Sequence, residues 1–373
     1  MPKESLMKII TARAPRRSCF ARPVTGFLLA VLLGLNPALA SAQPIEPACY
    51  ENKFAFNILL ENDLWGSGSD KHFTNGGRLS LLVAREPVMD AEKCLKDPSG
   101  LVATARLLAD SLSWDALGFK TRQVSLIFGQ NIFTPEDISR SDLILNDRPY
   151  AGWLYLGFGL IAERAGPYNP VDTYELDLGV IGPWSQAEAV QKNWHEFIDT
   201  VEPKGWDHQL SNEVGVLLNL ERKWKLPLPM PGKEGLELDF LPSAGIALGN
   251  VFTYASAGGM LRLGVNLKVD YGPPRIRPGA QGSDFFKTRE IVGWYVFAGV
   301  EGRAVARNIF LDGNTFEHSH SVDKKYFVGD LHVGLVVVID CFRLAFTNVF
   351  RTEEFSGQGE LDEFGSVSAS WTW

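Results

Sequence analysis

Alternation is the feature that most constrains what this chain can become. Apolar residues recur at every second position in twelve segments: 53–63, 74–84, 122–133, 151–163, 173–181, 212–224, 236–248, 252–269, 290–304, 326–339, 342–350 and 365–373. A period of two is that of a strand, whose successive side chains point to opposite faces. Most of the segments run about 9 to 15 residues and are rich in glycine and aromatics. A tilted strand crosses a bilayer in ~9–11 residues, and bacterial barrels close on an even number of strands. The pattern therefore predicts an all-β fold: a 12-stranded antiparallel transmembrane β-barrel with a short helix in an outward loop. The chain ends SVSASWTW, small and apolar residues alternating up to Trp373, as in the closing strand of outer-membrane barrels. A soluble β-sandwich is the competing reading, and strand length and this ending weigh against it.

The N-terminal segment points the same way. Arg13, Arg16, Arg17 and Arg22 precede an apolar run over 27–35, which Asn36-Pro37 breaks. Ala38-Leu39-Ala40 or Ala40-Ser41-Ala42 then offers a small-residue cleavage site. Residues 1–42 are expected to be a secretory signal peptide, since so short a run cannot span a bilayer of ~30 Å. Residues 43–373 carry no linker, no internal repeat and no run of ~18 apolar residues, so they read as one exported domain without helical membrane spans. The net charge of −8 argues against a nucleic-acid partner. With Cys19 in the signal segment, Cys49, Cys94 and Cys341 remain, an odd number that allows at most one disulfide.

An even-stranded barrel places both termini on the periplasmic side. The outward loops are then about 64–73, 134–149, 182–211, 249–251, 305–325 and 351–363, mostly the longer connections, as such barrels require. The exception is an insertion at 85–119, placed in the periplasm, with Leu101, Ala105, Leu108 and Leu112 at helical spacing. Cys94 lies in it and Cys49 precedes the first strand, so the two are candidates to pair.

The loop at 182–211 holds the clearest helix signal. Gly182-Pro183 ends a strand, and Ser185 with Glu188 three residues on is a capping-box signature. Ala187, Val190, Trp194 and Phe197 share one helical face, suited to packing on something apolar, while Glu188, Gln191 and His195 occupy the adjoining face. By spacing alone this is a surface helix over a barrel mouth with an exposed histidine.

Polar groups at the outward ends of the first five strands make it more than that. Glu61-Asn62-Asp63 closes the first strand, and Asp70, His72 and Thr74 lead into the second. Gln130, Thr134 and Arg140 follow the third, and Asp147-Arg148-Pro149-Tyr150 opens the fourth. A barrel rim is polar in any case, and Asp147-Arg148 also reads as a loop-stapling ion pair. Convergence on one rim beside a helix carrying His195 is the more specific observation. No G-x-S-x-G elbow suits a serine nucleophile, because Trp65-Gly66-Ser67-Gly68-Ser69 lacks a following helix. Cysteine and histidine spacing shows no zinc pattern, and the pair His318 and His320 lies in a separate loop.

Several of these blocks occur in a familiar order. They are END at 61–63, DKHFTNGGRLS at 70–80, TP at 134–135 and NDRPYAGWLY at 146–155. GVIGP at 179–183, Gln191 with His195, and GWDHQLSNE at 205–213 complete the series. The chain resembles the outer-membrane lipid A 3'-O-deacylases (LpxR type), most densely over 62–213. The resemblance implies an active site between the barrel wall and the helix of an outward loop. It also implies a Ca²⁺-dependent esterase acting on lipid A (lipopolysaccharide) among outer-membrane lipids, as a monomer in the outer membrane of a Gram-negative bacterium. By position His195 would be the general base, with Asn62, Thr74 and Arg140 in the catalytic set and Asp63 and Asn62 as metal ligands. A histidine with an ordinary pKa of ~6.5 can take a proton from water near neutrality. A hard cation takes oxygen ligands and stabilises an ester's developing oxyanion. The family carries a lysine in the loop after the third strand where this chain offers Arg140, or alternatively Arg148, and the 85–119 insertion is longer than the family's. A Ca²⁺-dependent phospholipase and a non-catalytic barrel relative stay open beside the deacylase.

Overall fold

The computed structural model describes residues 49–63, 72–88, 119–164, 168, 170–230, 235–269, 271–274 and 292–373. The expected signal peptide, most of the insertion and Cys94 lie outside these residues. The strands are β1 Cys49–Asn62, β2 His72–Val88, β3 Phe119–Thr134, β4 Ala151–Arg164, β5 Val171–Ile181 and β6 Glu213–Lys223. They continue with β7 Leu226–Leu228, β8 Glu237–Gly249, β9 Phe252–Val265, β10 Val292–Asn308, β11 Phe327–Ile339, β12 Phe342–Arg351 and β13 Asp362–Thr372. Two helices, α1 Ala187–Phe197 and α2 Ile309–Asp312, lie between them.

Except for β6 and β7, strands adjacent in the chain pair antiparallel, and two pairings close the ring. β1 pairs with β13 from Ala55↔Thr372 to Asn62↔Gly365, and β6 pairs with β8 from Leu217↔Gly249 to Lys223↔Ser243. The three-residue β7 pairs only with the start of β8, beside the twelve long strands that make the barrel. Residues 85–88 and Phe119, taken above as part of the insertion, belong to β2 and β3. β10 runs on to Asn308.

The wall is inverted relative to a water-soluble sheet. On β11, Leu331, Val333 and Leu335 are exposed while Asp330 and His332 between them are buried. Inward charges are paired inside the lumen, some between neighbouring strands and some across it. Asp330 accepts from Arg303 at 3.0 Å and from Arg351 at 3.0 and 3.1 Å, and Arg78 meets Glu175 through two bonds. Arg262 forks onto Asp239. An apolar plug closes the lumen at the loop-rich end. There α2 inserts Ile309 and Phe310 among Phe133, Trp153, Tyr155, Phe252 and Phe364, with Phe310 stacked on Phe133 at 4.0 Å. Towards the other end Tyr271 packs against both opposing apolar clusters of the wall. Side chains thus fill the barrel, as a ring of twelve strands allows. Cys341, in the β11–β12 turn, is disulfide-bonded, so a Cys49–Cys94 bridge does not account for it.

Candidate active site

α1 lies against the outer surface of the barrel, packed on β3 and β4. The close approach depends on Gly152. A Cβ there would sit 2.2 Å from both Ala187 Cβ and Ser185 Oγ, so the missing side chain is what admits the helix. Ile132, Ile138, Tyr150, Ala187 and Trp206 form a small apolar core between wall and loop. Gln130 secures the entry to the helix, donating from Nε2 to Ser185 O at 2.6 Å.

The helix forms where its spacing predicts, but neither its cap nor its packed face is the predicted one. Ser185 ends a 3-10 turn, its Oγ donating to Gly182 O, and Gln186 takes the N-cap position in a left-handed conformation (φ 59°). Glu188 pairs with Lys192 instead of returning to the cap. The buried stripe is Ala187, Gln191 and His195, each one turn apart. Of the apolar set only Ala187 packs down; Val190, Trp194 and Phe197 are 44%, 43% and 79% exposed. A packed apolar face is the solution for a helix in water, whereas the outside of this barrel is itself apolar. The polar stripe can therefore be turned inward.

His195 is accordingly not an exposed rim histidine: it is 4% exposed. Its Nδ1 lies 2.5 Å from Val201 O, so Nδ1 carries the hydrogen that the carbonyl accepts and Nε2 is the basic nitrogen. Trp206 Nε1 donates to Gln191 Oε1 at 2.9 Å. An indole N–H is only a donor, which fixes the orientation of the amide. The Gln191 Nε2 group is buried and has no hydrogen-bond partner among the described residues. No local pattern signals the Gln191–Trp206 pair, since the residues are fifteen apart in sequence and meet only because the loop folds back.

The register carries this outer face round to β1. Asn62 pairs with Asn75, Asn75 with Ile132 and Ile132 with Gly152, so one rung of the sheet runs from Asn62 to the ground beneath α1. Asn62 alternates with the outward Ile58 and Leu60, yet it is buried. Thr74 falls in the irregularity of β2 between Phe73 and Asn75, one residue from this rung. Asp63 follows directly after β1 and is buried. Glu61 sits at an inward position of the strand and belongs with the lumen charges.

Arg140 does not join this group. Its side chain is exposed and ion-paired with Asp142, which raises its pKa through the hydrogen bond and the opposite charge. Arg148 is fully buried, bonded to Glu354 at 2.8 Å and set over the rings of Phe133 and Phe355. It staples the loops, but through Glu354 and not as an ion pair with Asp147. Asp147 itself accepts from the backbone of Glu136 and Arg148.

Among the described residues no group of three or more His, Cys, Asp or Glu is arranged to hold a metal. Calcium takes about six to eight oxygen ligands. Asp63 and Asn62 are hard oxygen donors of the right kind, and the others would have to be backbone carbonyls, water and substrate. The donor chemistry fits an open, substrate-completed cation site and not a closed structural one.

The sequence model of the family described as "Outer membrane protein LpxR" matches residues 27–373. Among solved structures the chain is similar to LpxR from Salmonella typhimurium, with a TM-score of 0.66 at 20% identity over 85% of this chain and 99% of that one. Lower similarity links it to the translocator domain of autotransporter NalP from Neisseria meningitidis (TM-score 0.38, 10% identity, 86% of this chain and 88% of that one). The β-domain of the Bordetella autotransporter BrkA gives a TM-score of 0.36 at 8% identity, over 87% and 99%. No curated protein sequence matches the chain.

Proposed function

Because the chain belongs to the LpxR family of outer-membrane proteins, we propose that it is an outer-membrane ester hydrolase that removes the 3'-linked acyloxyacyl chain of lipid A. The observation that carries this reading is the wall-facing His195, whose Nδ1 is held by Val201 O. A purely structural barrel has no need of a buried histidine with a fixed tautomer on an external helix.

In this mechanism His195 Nε2 accepts a proton from a water molecule as the water oxygen bonds to the ester carbonyl carbon. Collapse of the tetrahedral intermediate breaks the carbon–oxygen bond to the sugar. The proton on Nε2 passes to the leaving alkoxide, giving a carboxylic acid and an alcohol. The Gln191 amide, oriented by Trp206, donates to an oxygen of the bound ester. Asn62 and Asp63 would hold a Ca²⁺ ion, which when bound supplies positive charge opposite the developing oxyanion. Thr74 stands in the backbone of β2 beside the same rung and completes the set. Arg140 would contribute only if the 135–150 loop released it from Asp142, so its part in the reaction is the weakest of the set.

The test uses purified, folded protein in mixed micelles with lipid A. Ester hydrolysis that needs Ca²⁺ and is lost in His195→Ala, with the variant still showing the heat-shifted gel mobility of a folded barrel, is the expected result. A His195→Ala barrel that is folded and fully active would refute the assignment. Release of fatty acid from glycerophospholipid but not from lipid A would make the protein a phospholipase.

A further inference from the structure

Three distinct sides can be read on α1 from its residue numbers and exposures. At 100° per residue the wall-facing stripe Ala187, Gln191 and His195 spans one sector. Val190, Trp194 and Phe197 cluster about a quarter-turn away on one flank, and Glu188, Lys192, Asn193 and Glu196 fill the opposite flank. The apolar flank is exposed, with Trp194 and Phe197 in contact at 5.8 Å between ring centroids. Trp184 before the helix and Val201 after it are exposed apolar residues as well.

A helix lying along a surface with one apolar and one charged flank is built for an interface between hydrocarbon and water. Here the hydrocarbon is identified by what lies below. Gln130, which bonds the helix entry, pairs with Leu154, and two residues further down the same outward files are Phe128 and Leu156, themselves paired and exposed. The apolar belt of the barrel therefore begins roughly 7 Å along the strand from the helix. In water such a patch would be a liability for association; continuous with the belt, it is an extension of it.

We propose that the Val190–Trp194–Phe197 flank of α1, with Trp184 and Val201, is immersed in the acyl-chain layer of the leaflet at the loop-rich end. The helix then lies within the membrane surface and not above it. The seam where α1 meets the wall then faces lipid sideways, so a lipid substrate reaches it by lateral diffusion with its acyl chains never leaving hydrocarbon. The immersion itself rests on the barrel fold; the substrate route also rests on the esterase reading.

Two measurements on the folded full-length barrel in vesicles test these separately. The first is tryptophan fluorescence in phosphatidylcholine brominated on its acyl chains, comparing wild type with Trp194→Phe. The expected result is that the emission contributed by Trp194 is quenched by the bromines and insensitive to aqueous iodide. A Trp194 component quenched by iodide and not by bromolipid would overturn the proposal. So would quenching that disappears as protein density rises, because a second copy would then be the occupant. The second is Phe197→Asp, at a side chain with no buried contact to lose. Turnover of vesicle-embedded lipid should fall about tenfold, the loss expected from one large apolar anchor, while turnover of a soluble short-chain ester stays unchanged. Equal turnover of the embedded lipid by both proteins would overturn the lateral route. A wild-type protein inert on both substrates would remove the esterase reading and leave the bromolipid result to decide immersion alone.

Discussion

Gln191 and Trp206 show how two motif residues fifteen apart in sequence are joined only by the fold. Burying an amide N–H without a partner costs about 1–3 kcal/mol, and here the donor-only indole allows no flip that would relieve it. In the proposed mechanism an oxygen of the substrate is the partner that offsets this cost. Gln191→Met, which keeps the volume and removes the donor, is expected to lower kcat by about 10²-fold with a smaller change in KM. Unchanged kcat in a folded variant would show that the amide has only a packing role. Glu354 gives a second residue-scale prediction. Burial alone would raise its carboxyl, but Arg351, Arg148 and Arg303 outweigh that and hold it at about 2. An unfolded glutamate titrates near ~4.3, so the ion cluster contributes stability above that pH and loses it as pH falls from there towards 2. Thermal unfolding of the barrel should shift downward over that window, and Glu354→Gln should flatten the shift. An equal acid shift in the variant would place the sensitivity elsewhere. Arg148 and Arg140 had the same standing in the sequence, because a loop has no periodicity to say which arginine turns inward. The partner Glu354 is 206 residues from Arg148, and only the closed ring brings them together.

The elements themselves were largely legible. Strands that cross a bilayer must be long and must alternate, so each of the twelve segments became a strand, with ends displaced by a few residues where pairing continues past the apolar pattern. The helix was legible as a helix and misread as to its packed side. The usual inference from an amphipathic pattern assumes water outside and hydrocarbon within, whereas this helix packs on a barrel surface that is itself apolar. Gly152 was a readable signal, since a glycine just inside a strand often marks close backbone approach. Restoring a side chain there tests the element directly. Gly152→Val is expected to lift α1 from β3 and β4, expose the 182–211 loop to protease and abolish hydrolysis while the barrel stays closed. A loop that remains protease-resistant in that variant would mean the helix is held from elsewhere.

At the scale of the whole molecule, the described residues form a filled barrel, and the proposed chemistry lies on its outside. The Phe310 plug, the Asp330 cluster and Tyr271 fill the lumen in succession, so the reconstituted protein is expected to show no steady porin-like conductance in a planar bilayer. The alternation made the inward charges visible, but their pairings depend on register and strand order, which no local pattern encodes. In the proposed reading the lipid is processed on the outside, where His195 and Gln191 of α1 face the wall. The most direct test is mass spectrometry of lipid A from membranes of cells making the wild-type protein or His195→Ala, each with Ca²⁺ or with chelator. The account predicts loss of the mass of one 3'-acyloxyacyl unit with the wild-type protein and Ca²⁺, and intact lipid A in the other three samples. Intact lipid A in all four, from barrels shown to be assembled, would contradict it.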